Sequence, residues 1–415
     1  MSIILRCLSI GLMLCQAPAA AAADWPQFRG PTGDGLSDAT NVPIRWSATE
    51  NVAWKTRVPG RGWSSPVLAG GRLYLTTAVG ADAGDVSLRA LCLDTSDGRI
   101  LWDVEVLRPE SQATKQVHTK NSLASSTPVV QDGRLYVHFG HMGTAALDLN
   151  GEVLWRQQDI GYKPVHGNGG SPALVDDLLV FSCDAAQDPF VVALEQATGK
   201  ARWRTPRNTS ARQKFSFSTP LVIEVDGQQQ IISPGSGFVA AYDPHSGDEI
   251  WRVGYGEGYS VVPRPVFAQG LVFVSSGFNR ARLLAIDPQD ARGDASGSHI
   301  VWSHERGVPL TSSILADGDE LYFVSDNGVA SCLDARSGKV HWSERLAGDF
   351  SASPVYADGR LYFVNEAGVT YVVRAGQEFE LLATNDLEEG ALASPAVADE
   401  ALYLRTELHL WRIGN

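Results

Sequence analysis

Short runs of apolar residues alternating with polar ones, broken by Gly, Asp and Asn, recur along most of the chain. Leu73-Tyr74-Leu75, Leu135-Tyr136-Val137, Leu321-Tyr322-Phe323 and Leu361-Tyr362-Phe363 are clear instances. A period of two predicts short β-strands, and no segment sustains the 3.6-residue period of an amphipathic helix. A Ser/Thr-Pro pair leads into each unit: Ser65-Pro66, Thr127-Pro128, Ser171-Pro172, Thr219-Pro220, Ser353-Pro354 and Ser394-Pro395. Arg264-Pro265 and Ser313-Ile314 are degenerate copies, which brings the count to eight. A turn of the form Asp-x-x-x-Gly follows further on, as in Asp94 to Gly98, Asp243 to Gly247 and Asp334 to Gly338, with Glu195 to Gly199 as a variant. Its Gly permits the positive φ that a tight hairpin needs.

A Trp closes most units. Trp54, Trp102, Trp155, Trp203, Trp251, Trp302 and Trp342 are separated by 48, 53, 48, 48, 51 and 40 residues. Periods of that size belong to propellers and arrays. Four short strands per unit, repeated eight times, predict an all-β, eight-bladed β-propeller. The last unit runs out at Trp411-Arg412-Ile413 without its final strand, and Asn51-Val52-Ala53-Trp54-Lys55 reads as that missing strand. The ring is therefore expected to close by pairing its two ends, which removes an open edge. The Trp residues are expected to be wedges between neighbouring blades. The seventh unit lacks one, with the segment Phe379 to Ala383 in its place.

The first residues read differently. Arg6, the apolar run Cys7 to Leu14, and Ala21-Ala22-Ala23 before Asp24 form a secretory signal over residues 1–23. The apolar run is too short to span a bilayer, which takes about 20 residues. Leu12-Met13-Leu14-Cys15 resembles a lipoprotein cleavage box, but Leu14 stands where a small residue belongs. The expected organisation is a signal peptide (1–23), a lead-in (24–50) and a single propeller (51–415), periplasmic or secreted. Of the remaining cysteines, Cys92 and Cys332 occupy equivalent repeat positions, which predicts buried packing rather than a disulfide framework.

Composition narrows the function classes. A hydrophobic fraction of 44% with only 20% charged residues excludes a disordered chain. A net charge of -13 argues against nucleic-acid partners, which require a basic surface to replace phosphate counterions.

The unit Ser-Pro-x-Val … Gly-Arg-Leu-Tyr-Phe … Leu-Asp-x-x-Ser-Gly-Lys-x-x-Trp resembles the pyrroloquinoline quinone (PQQ) enzyme repeat over roughly residues 50–413. The opening Asp24-Trp25-Pro26-Gln27-Phe28-Arg29-Gly30-Pro31 is similar to that of many secreted bacterial PQQ-like propeller proteins. The resemblance implies the propeller fold. It is shared by quinone-dependent alcohol dehydrogenases and by the lipoprotein scaffold of the outer-membrane barrel-assembly machine, which binds no quinone. The dehydrogenases carry adjacent cysteines and a Ca²⁺ site of Glu, Asn and Asp beside a catalytic Asp. This sequence has no Cys-Cys pair, no Cys-x-x-Cys-His haem site, and no motif onto which the Ca²⁺ set maps.

Candidate chemistry lies in the loops expected at one mouth of the central channel, where a rigid ring presents its variable segments. Trp63, His118, Lys120, Asn121, His141, His166, Asn168, Asp184, Phe217, Tyr259, Arg264, Asn279 and Arg280 form the expected ligand or partner funnel. His118, His138, His166 and Asp184 are candidate metal ligands by residue type, although their spacing matches no established metal motif. The expected function is a non-catalytic binding or scaffolding propeller, monomeric and without a cofactor, engaging an envelope protein, small molecule or glycan at the funnel. The alternatives are a PQQ- or metal-dependent oxidoreductase using the same funnel, with PQQ and Ca²⁺ as cofactors, and a carbohydrate-binding propeller.

Overall fold

Each Ser/Thr-Pro pair opens a short strand that lies against the central channel, and three antiparallel strands follow it outward. The computed structural model describes residues 24–80, 84–110, 114 and 117–414, so the expected signal segment and Cys15 lie outside the described residues. Seven blades are continuous in sequence, at 67–107, 129–157, 173–206, 221–254, 266–304, 315–345 and 355–386. Blade 8 takes three strands from 396–413 and its outermost strand, Val52–Arg57, from the start of the ring. Val52 pairs with Ile413 and Lys55 with Trp411, so the chain ends close the ring as the sequence predicts. The second and third strands of each blade supply most of the buried apolar residues, and neighbouring blades share core clusters.

The seams between blades explain the Trp period. The indole N–H groups of Trp54, Trp102, Trp155, Trp203, Trp302 and Trp342 each donate to a backbone carbonyl in the outer hairpin of the next blade, at 2.8–3.1 Å. The ring also lies on the hairpin glycine. A Cβ on Gly199 would stand 2.5 Å from Cε3 of Trp155, and Gly199 has φ +71°. That hairpin position therefore admits only Gly on two grounds, a left-handed backbone and a neighbouring blade's indole against it.

Two seams depart from the pattern. Trp251 bonds Gln230 Oε1 of its own blade, at 2.9 Å. The longer outer hairpin of blade 5 swings across instead, pairing Gly293–Asp294 parallel to Trp251 and Arg252 as a fifth strand. In blade 7, Ala383 occupies the Trp position, opposite Val372 as Trp342 is opposite Cys332. Phe379 lies in the hairpin and packs edge-on against Trp342, centroids 5.2 Å apart. The missing indole is supplied from elsewhere. Trp46 of the lead-in stacks on Tyr362 with centroids 6.4 Å apart, and its backbone N–H donates to Asn385 Oδ1.

The lead-in also crosses the channel axis. Trp25 exchanges two backbone bonds with Leu68 of blade 1, and Pro26 O accepts from Val130 of blade 2. Arg29 donates to Ile314 O of blade 6 and Pro354 O of blade 7, as well as to Asp34 O. Arg264 of blade 5 donates to Phe28 O and Gly33 O. Leu36–Ser37 then pairs parallel to Tyr356 and Ala357 of blade 7. Residues 25–37 thus plug the channel and tie five blades together. Cys92 and Cys332 are free and buried, as expected from the repeat, and so is Cys183.

Gly199→Ala is expected to cost about 1–3 kcal/mol more than Gly227→Ala. Both positions have positive φ, but only at Gly199 would the new methyl meet an indole. Trp46→Ala is expected to cost about 3–5 kcal/mol, the loss of a buried indole wedge. Urea unfolding of each purified variant measures both effects, and equal costs for the two glycine variants would refute the seam account.

Candidate functional site

The Ser/Thr of each Ser/Thr-Pro pair has a structural task. In six of the eight blades the hydroxyl oxygen accepts the backbone N–H of the equivalent residue in the preceding blade. Ser65 N donates to Thr127, Thr127 N to Ser171, and Ser171 N to Thr219, at 2.9–3.0 Å. Arg264 N donates to Ser313, Ser313 N to Ser353, and Ser353 N to Ser394, also at 2.9–3.0 Å. The ring breaks into two arcs, where Arg264 replaces the hydroxyl in blade 5 and between Ser394 and Ser65, which share no such bond among the described residues. The following Pro needs no partner for an N–H it lacks and pre-sets φ for the turn into the strand.

Above this ring the connectors between blades form a funnel of about 590 Å³. Phe28 of the plug is its floor. The wall on blades 2 to 5 is aromatic. The His118 and His166 rings are 5.4 Å apart, and His166 stands edge-on to Phe215 at 5.2 Å. Phe215 lies 6.0 Å from Phe217 and 5.5 Å from Tyr259, which lies 6.4 Å from Phe278. The wall on blades 6 to 8 is hydroxylic, with Thr311, Ser313, Ser351, Ser353 and Ser394. Lys120, from the connector before blade 2, reaches Glu366 of blade 7 at 2.7 Å, and Ser351 donates to the same carboxylate oxygen at 2.6 Å. Burial, and then the neighbouring His118, lower the His166 pKa.

The expected funnel residues separate into groups. Trp63, His118, Lys120, Asn121, His166, Phe217 and Tyr259 line the one funnel. Asn168 lies behind the wall, donating to Ser126 Oγ at 2.5 Å and accepting from Tyr162 at 3.2 Å. His141 sits on the short helical turn Gly140–Met142, edge-on to Tyr162. Asn279 and Arg280 line a separate cleft with Glu257, Arg282 and Asp326. Asp184 is wholly buried against Arg207, Oδ1 to Nε 2.6 Å; burial pushes its carboxyl up to about 6 against the pull of that guanidinium. Arg264 is buried beneath the floor, where it clamps the plug. Phe28 and the ring hydroxyls line the funnel although their chemistry carries no sequence motif; the even spacing of the Ser/Thr-Pro pairs was the available signal.

The donor set bears on metal and quinone. Among the described residues no three His, Cys, Asp or Glu side chains are placed to hold a metal ion together. His138 lies apart from His118 and His166, fully buried against Phe181 with centroids 4.2 Å apart, its Nδ1 2.8 Å from Thr144 Oγ1. The carboxylates that touch the funnel lining, Glu366 and Asp326, are already bonded to Lys120 and Ser351 and to Thr311. Ca²⁺ takes six to eight oxygen ligands, usually with carboxylates among them. The residues present therefore do not fit a Ca²⁺–quinone site, and no chemical step is derived through one.

A sequence profile for the family described as outer membrane protein assembly factor BamB matches residues 38–122, 87–290 and 290–378. BamB of Burkholderia pseudomallei is 24% identical over 418 residues, covering 94% of this chain and 95% of that protein. BamB of Yersinia pestis is 22% identical, covering 75% of this chain and 76% of that protein. The match to BamB of Legionella pneumophila, at 24% identity, spans about half the length of that relative, 48%. Among solved structures, BamB of Moraxella catarrhalis has a TM-score of 0.62 at 14% identity, covering 87% of this chain and 96% of that one. A europium-containing methanol dehydrogenase has a TM-score of 0.57 at 13% identity, covering 93% of this chain and 90% of that one. Structural likeness at such identities shows the shared fold.

His138 makes a pH dependence. Burial, with His141 nearby, lowers its pKa from 6.5 to about 3. The unfolded chain takes up this proton below pH 6.5 while the folded chain does not, so stability falls as pH drops through that window. At about 1.4 kcal/mol per pH unit, the group removes about 2 kcal/mol between pH 6.5 and 5. Urea unfolding at both pH values is expected to show that His138→Gln lacks this part of the loss; an unchanged loss would refute the assignment.

Proposed function

The chain belongs to the PQQ-type propeller family described as outer membrane protein assembly factor BamB, and on that premise we propose that it is an exported, non-catalytic scaffold whose funnel binds an envelope protein engaged in outer-membrane assembly. The observation that carries this reading is the aromatic wall. Rings from the connectors of four adjacent blades, running from His118 to Phe278, present a continuous apolar and aromatic face at a mouth floored by the plug. Such surfaces supply the anchors of protein interfaces, where a few aromatic residues carry most of the binding energy.

Rigidity supports the same reading. The ring hydroxyls, the indole seams and the plug fix the wall before any partner arrives, which lowers the ordering cost of binding. The hydroxyl wall and the Lys120–Glu366 bridge give the rim polar groups that fix orientation rather than strength. Export rests on the signal-like residues 1–23 and on the kind of relatives matched. No described helix is long and apolar enough to cross a membrane.

The test is made in the host. Deleting the chain is expected to lower the amount of folded outer-membrane β-barrel protein, read by its heat-dependent gel mobility, and the wild-type chain restores it. The double variant Phe217→Ala, Tyr259→Ala removes two partly exposed wall residues, at a cost of about 2 kcal/mol or more in binding for each. It is expected to accumulate normally and fail to restore the barrels. Wild-type barrel levels in the deletion strain would overturn the assembly reading.

A further inference from the structure

The throat of the funnel holds donors without acceptors. Thr127, Ser171, Thr219, Ser313, Ser353 and Ser394 all line the funnel, and each is more than nine-tenths buried. Each hydroxyl oxygen already accepts a backbone N–H from the blade before it. Its own proton has no acceptor among the described residues. Accepting a hydrogen bond polarises an O–H and makes it a stronger donor. Six such donors around one throat make it suited to an acceptor-rich group.

The charge beneath the throat points the same way. Arg29 and Arg264 are wholly buried, and neither forms an ion pair with a described carboxylate; their guanidiniums are held by backbone carbonyls. Asp34 is the nearest carboxylate influence on Arg29 and Arg264, and it leaves burial dominant, with their pKa values down at about 9 and 10. Buried Arg207, by contrast, has Asp184. Arg264 is itself the blade 5 member of the ring and donates its backbone N–H to Ser313. The one permanent charge in the funnel lining, Lys120, is already paired with Glu366.

We infer that the hydroxyl throat is a binding site for a small oxyanion of the phosphate, sulfate or carboxylate class, held by Ser and Thr O–H donors over the buried arginines. The anion supplies an acceptor for throat hydroxyls and adds to Asp34 a second negative charge over Arg29 and Arg264. The site lies below the aromatic wall and does not rest on the scaffold reading: barrel assembly can fail its test while the anion binds, and the reverse.

The experiment is calorimetric titration of the purified mature chain with inorganic phosphate, sulfate, acetate and benzoate, with benzamide as the neutral control. Saturable one-to-one binding of at least one anion at about 1 mM or tighter, without benzamide binding, is expected. Phosphate or sulfate ahead of acetate identifies an inorganic ion, and benzoate well ahead of acetate identifies an organic acid whose ring rests on the wall. Thr219→Val with Ser353→Ala is expected to weaken binding at least about tenfold, while Thr219→Ser, which keeps the donor, stays within about twofold of wild type. Thermal melts establish that each variant is folded. If the double variant does not fold, Thr219→Val alone and the wild-type titrations still decide the matter. No saturable anion binding by folded wild type, or equal binding by a folded Thr219→Val variant, would overturn the site.

Discussion

Everything in this molecule depends on how one blade meets the next. A twisted four-stranded sheet buries one face against its neighbour only if the wedge between them is filled, and here an indole fills it. The indole N–H reaches a carbonyl of the next blade's hairpin, and the ring covers the glycine there. That contact is apolar area and directed hydrogen bond at once, so it sets both the stability and the angle of each seam. A second set of bonds, hydroxyl to backbone N–H, repeats the connection at the channel.

Where the repeat falters, the structure substitutes an equivalent contact. Blade 7 has Ala383 at the wedge position, and Trp46 arrives from the lead-in to stack on Tyr362. Trp251 keeps its place but loses its carbonyl to an outer hairpin that adds a strand alongside it. The lead-in is therefore part of the ring's packing. It supplies a wedge, an edge strand and the plug, and leads directly into the outermost strand of blade 8. Its polar cost falls on Arg29 and Arg264, whose burial depresses their pKa values while carbonyls satisfy several of their donors.

The plug gives the channel two unlike ends. One is closed by residues 25–37, and the other opens as a funnel floored by Phe28. Aromatic residues collect on the side of blades 2 to 5, and hydroxyls on the side of blades 6 to 8. A rigid, asymmetric mouth of this kind can hold an extended or irregular partner in one orientation, and the polar throat below it is chemically distinct from the apolar wall above. The two levels come from different parts of the sequence unit, the wall mainly from the connectors and the throat from the recurring Ser/Thr position.

The sequence by itself determined the blade count, the ring closure through Val52–Arg57, and the burial of Cys92 and Cys332, because each is written as a local pattern at a fixed period. It also brought Trp63, His118, Lys120, Asn121, His166, Phe217 and Tyr259 into one list, since connectors before successive inner strands must share a mouth. Only the tertiary structure decided which loop residues turn inward. Arg264 looked like a ligand and is a clamp, because the lead-in crosses directly beneath blade 5. Asp184 looked like a metal ligand and is the partner of Arg207, buried with it between blades 3 and 4. His138 alternates inward on its strand, away from the funnel, and meets Phe181. These outcomes depend on contacts between segments up to hundreds of residues apart. A repeat specifies the geometry of each unit, whereas the crossing of a non-repeating segment through the centre is settled only when all eight units stand around it.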